Sequence, residues 1–69
     1  LNPQFIEKAI QVLQKAEELA PTDAKLPFNL GVVFELNGDK EKAKQFYEKA
    51  IRMKSNYGAA KDRLKGLEK

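Results

Sequence analysis

The chain contains no cysteine and no histidine, which removes thiol nucleophiles, imidazole acid–base pairs, zinc sites and haem ligation through those side chains. Carboxylates remain as candidate acids and bases. The conspicuous pair, Glu17 and Glu18, occupies adjacent positions, and adjacent residues on a helix point in different directions rather than facing one reacting bond. Gly31, Gly38, Gly58 and Gly66 stand singly and follow no strand pattern, so no glycine-rich phosphate cradle is expected. No catalytic, metal or cofactor constellation emerges, and the chain reads as a non-enzyme. Its remaining chemistry is recognition by amide, ammonium, guanidinium and carboxylate groups.

The charged groups are distributed unevenly. Residues 1–39 carry three lysines against six acids, and residues 40–69 carry ten Lys/Arg against four acids, within a net charge of +3. A basic half suits nucleic acid or an anionic surface, but lysines on the outer faces of amphipathic helices give the same count. Lys40, Lys42, Lys44, Lys49 and Arg52 are expected to be such solvent-facing residues. Nucleic acid is therefore the less favoured partner.

With 69 residues, the chain has room for one small domain that buries only about 60% of its unfolded surface. Lacking disulfide and metal, it must draw extra stability from stacking or self-association. No apolar run is long enough to span a bilayer, and no signal-peptide pattern opens the sequence. The compartment is left open, cytoplasmic by default.

Asn2-Pro3 reads as an N-cap with proline at the first helical position, opening a helix that runs to about Ala20. At about 100° per residue, Phe5, Ala9, Val12, Leu13, Ala16, Leu19 and Ala20 share a side that Ile6 and Ile10 widen to half the circumference. Pro21-Thr22-Asp23 breaks the chain and caps a second helix to about Asn37, with Pro27 in its first turn, where a missing N–H costs least. Gly38 stops that helix, Asp39 caps a third to about Lys54, and Ser55-Asn56 opens a fourth. Short connections make neighbours antiparallel. The expected fold is all-α: a four-helix, antiparallel helix-turn-helix repeat stack.

Glu7-Lys8-Ala9-x-Gln11-x3-Lys15-Ala16 recurs as Glu41-Lys42-Ala43-x-Gln45-x3-Lys49-Ala50, an offset of 34 residues. That offset also carries Leu13 to Tyr47, Leu19 to Met53 and Leu30 to Leu64. Pro27-x2-Leu30-Gly31-x2-Phe34, then Ala43-x3-Tyr47, then Ser55 resembles the tetratricopeptide repeat, whose pattern is W-x2-L-G-x2-Y, A-x3-F and P at the same period. Pro27 replaces the usual Trp and Ser55 the usual Pro. Residues 24–57 read as one complete repeat within a single domain. Residues 3–21 resemble the second helix of a preceding unit whose first helix is absent. Residues 58–69 resemble a polar closing helix, with Lys65 where the glycine would stand. The resemblance implies that Gly31 packs tightly against the Ala43/Ala50 face.

It also implies a protein- or peptide-binding module whose concave groove is lined by first helices. The matching positions are Lys25, Phe28, Asn29, Val32, Glu35 and Leu36, with Arg63 one period after Asn29. In this family an Asn at the Asn29 position can donate to and accept from a ligand backbone, and Arg63 with Lys25 could grip a carboxylate. Phe28 reads first as core, compensating for the missing Trp. Two other readings stay open: a basic helical domain docking on nucleic acid or an anionic surface, and a purely structural spacer or dimerisation element. Phe5, Ile6, Ile10 and Leu13, left without a stacking helix, are expected to form a self-association surface and give a homodimer.

Overall fold

Turn chemistry sets the helix boundaries. The computed structural model describes residues 3–68 as four α-helices: α1 Pro3–Leu19, α2 Lys25–Leu36, α3 Lys40–Met53 and α4 Gly58–Leu67. The Asn2 cap lies outside the described residues. After α1, the Asp23 N–H donates to the Ala20 carbonyl at 3.1 Å, and the Asp23 carboxylate accepts from the Lys25 N–H at 3.0 Å. Asp23 thus serves the start of α2 from outside it, satisfying an N–H that has no intrahelical partner.

Gly38 ends α2 at φ 82°, a conformation that costs glycine no Cβ clash. Its N–H donates to the Glu35 carbonyl, and the Asp39 N–H donates to that of Phe34. This paired arrangement is a Schellman motif, which satisfies carbonyls the helix leaves open. Asp39 then turns from terminator to cap, its carboxylate accepting from the Lys42 N–H at 3.2 Å. One short segment therefore closes α2 and opens α3.

The start of α4 differs from expectation. Ser55 and Asn56 lie in the turn rather than capping the helix, Tyr57 is the N-cap residue, and it makes no side-chain cap bond. Lys54 is extended, so the two polar residues are consumed in bringing the Tyr57 N–H back to the Lys54 carbonyl at 3.1 Å. That bond is the 34-residue counterpart of the one from Asp23 to Ala20, so the internal repeat extends to the backbone of its turns.

Successive helices pack on each other, α2 on α3 most extensively, with α1 against α2 and α4 against α3. Leu30, Phe34, Ala43 and Tyr47 form the centre of the core. The small–large–small run Ala43, Tyr47, Ala50 on α3 is fully buried, letting helix backbones approach while the tyrosine fills the space. The close neighbour of Gly31 is Tyr47 itself rather than an alanine: a Cβ at Gly31 would lie 2.5 Å from Cε1 and 2.6 Å from Cδ1 of that ring. Phe34 stacks on Phe46 at 5.4 Å between centroids, with the Lys42 ammonium 5.3 Å above the Phe34 ring.

The packing sorts the apolar residues of α1. Ile6 is buried, and Ile10 and Leu13 pack against the core, so of the four residues expected to self-associate only Phe5 is open. The exposed apolar side chains of α1 are Phe5 (73%), Val12 (59%) and Leu19 (78%). Seven-residue spacing brings these three almost into line, whereas Ile6 and Ile10 lie about 100° or more round the helix. The flank that meets α2 and the core thus covers the isoleucines and leaves this stripe free. No described helix is long and apolar enough to cross a membrane.

Candidate functional site

Lys25, Asn29, Val32 and Leu36 follow one another along α2 at spacings of four, three and four residues, which places them on a single line of the helix. Lys25, Asn29 and Leu36 are exposed and Val32 is half-buried. Among the described residues Asn29 has no side-chain hydrogen bond, so both its donor and its acceptor groups are open to a ligand. This line combines an apolar strip with one amide and one ammonium.

Phe28 and Glu35 lie seven residues apart on the flank of that line, and both are engaged by neighbouring helices. The Phe28 ring stacks on Tyr57 at 5.1 Å and tilts against Tyr47 at 5.8 Å. It therefore belongs to an aromatic run at the edge of the core, the role first expected of it. The Lys54 ammonium sits 5.2 Å from the outer ring of that run, Tyr57.

Glu35 joins three helices. Its Oε1 accepts a 2.6 Å hydrogen bond from the Tyr47 hydroxyl of α3, and the Arg63 guanidinium of α4 stands 3.7 Å from the same oxygen. Burial, followed by the hydrogen bond and the negative charge of Glu35, raises the Tyr47 pKa well above its ordinary value of 10.0, while Arg63 opposes weakly. The carboxylate beside Arg63 is the chain's own. The sequence reading missed the Tyr47–Glu35 contact. Its signal was the hydroxyl that Tyr47 brings to a position where the family pattern has Phe.

On the other side of α3, Lys49 donates to Glu17 of α1 at 2.9 Å. Lys42, Lys49 and Lys54 thus have partners inside the chain, leaving fewer free cations in the basic half than composition suggests.

The tetratricopeptide repeat profile matches residues 24–57. Over 67 residues, 97% of its length, the chain is 33% identical to a zebrafish (Danio rerio) protein named "Tetratricopeptide repeat protein 17". It spans about 6% of the length of that relative. No solved structure gives a significant match. Tetratricopeptide repeats are generally protein-interaction modules and generally non-catalytic. The 34-residue period, the Gly31–Tyr47 packing and these matches agree, and the chain belongs to the tetratricopeptide repeat family.

Proposed function

We propose that the α2 line of Lys25, Asn29, Val32 and Leu36, with Glu35 and Arg63 at its edge, is a groove that receives a segment of another protein. The observation that carries this reading is the pairing of an unengaged amide, Asn29, with the exposed Leu36 on the same line. An amide that both donates and accepts suits a ligand backbone, and a flanking apolar side chain adds contact area that excludes water. Phe28 supports the groove from beneath through its stacking on Tyr57. Peptides selected by display against the chain provide the test. Asn29→Ala and Leu36→Asp should each weaken a selected peptide about tenfold or more, as hot-spot truncations do, with the thermal melt nearly unchanged. Equal affinity in both variants would contradict the assignment.

A second reading attaches to α1, where Phe5, Val12 and Leu19 make an exposed line with Ala9 and Ala16 interleaved at spacings of four and three. That is the periodicity of a helix–helix seam. This surface would pair two copies of the chain and is compatible with groove binding, because it lies on a different helix.

A further inference from the structure

Glu35 holds a carboxylate beside the cation that a ligand's acidic group would otherwise use. Its two contacts are unequal. The Tyr47 hydroxyl lies 2.6 Å from Oε1, whereas Arg63 lies 3.7 Å from that atom. The short bond to a fully buried tyrosine holds the carboxylate, and the ion pair to Arg63 is the longer of its two contacts. Arg63 and Glu35 side chains are also 46% and 31% exposed, so solvent and incoming groups reach both. A held anion beside a half-exposed cation imposes a charge preference on whatever approaches.

Resting on the groove reading above, we propose that Glu35 is the charge-selecting residue of the groove: it supplies Arg63 with an internal counter-ion and disfavours segments that bring a carboxylate to this point. The favoured occupant presents a neutral or basic side chain there. Tyr47 acts as a positioning residue, since it reaches the ligand only through Glu35. An acidic segment must compete with Glu35 for Arg63 while feeling repulsion from a charge that cannot move away. A cationic one meets a carboxylate already oriented.

The test follows the Arg63 Nε–Hε resonance of the isotope-labelled chain during titration with sodium acetate at fixed ionic strength. Glu35→Gln preserves an acceptor for the Tyr47 hydroxyl and removes only the charge. It should lower the acetate concentration for half-maximal shift roughly fivefold, the scale expected for an exposed pair. Glu35→Ala should give the same gain if Gln perturbs the packing. Coincident titrations in the native chain and both variants would overturn the inference. So would a gain equally present for other exposed arginine resonances, such as Arg52. Two display-derived peptides differing only by Glu or Lys at one position complete the experiment, the native chain preferring Lys and Glu35→Gln losing that preference. If neither peptide binds any variant, the groove reading fails, and the acetate series still decides the role of Glu35 towards Arg63.

Discussion

At the scale of single residues, Gly31 and Tyr47 determine each other. A methyl at position 31 would overlap two ring carbons of a side chain that is fully buried and has nowhere to turn. Overpacking of this kind typically costs about 1–3 kcal/mol. Gly31→Ala should therefore lower the melting temperature by several degrees despite alanine's better helix propensity, and an equal or higher melting temperature would contradict the packing. The Tyr47 hydroxyl makes a separate prediction. Its pKa in the folded chain is raised above 10.0, so the folded state holds its proton where the unfolded state has lost it. The sign follows: this stabilisation is complete below pH 10 and is lost as pH rises towards the folded-state pKa. Urea midpoints at pH 8 and pH 11 should fall more for the native chain than for Tyr47→Phe. At pH 8 the variant should be less stable by about 1 kcal/mol, the usual net loss of one hydrogen bond. Parallel declines would show that Tyr47 is not the titrating group.

At the scale of elements, what was legible depended on whether the signal was local. Asp39 declared itself as a cap and Gly38 as a stop because each acts on backbone within a few residues. Ser55 and Asn56 misled because the same residue types serve turns and caps, and only the extended Lys54 settles which. On α1 the sequence revealed a broad apolar arc but not its orientation. Which of Phe5 and Ile6 turns inward depends on where α2 lies, and that is tertiary information. The exposed line of Phe5, Val12 and Leu19 carries its own prediction. Sedimentation equilibrium over a hundredfold concentration range should reveal dimers, and Val12→Glu with Leu19→Lys should abolish them. A constant 7.8 kDa species in the native chain would exclude this use of α1.

At the scale of the whole molecule, the four helices form a slab about 32 × 32 × 15 Å, thin enough that most residues lie near one surface or another. A 34-residue offset made the architecture readable, because Ala43, Tyr47 and Ala50 repeat the spacing of Ala9, Leu13 and Ala16. The proposed groove was readable only in outline. Lys25, Asn29, Val32 and Leu36 came from the family resemblance, whereas the junction of Glu35, Tyr47 and Arg63 arises where three helices meet, and its one mark along the chain is the hydroxyl of Tyr47 at a position where the family pattern has Phe. Under the proposed function, partners are received on the α2 line and not on the outer face of α3. Site-specific photo-crosslinking in cells tests it directly, with a photoreactive residue placed in turn at positions 29, 36, 45 and 52 of the chain. Protein adducts should form from positions 29 and 36 and be absent from 45 and 52. Adducts confined to 45 and 52 would contradict the account.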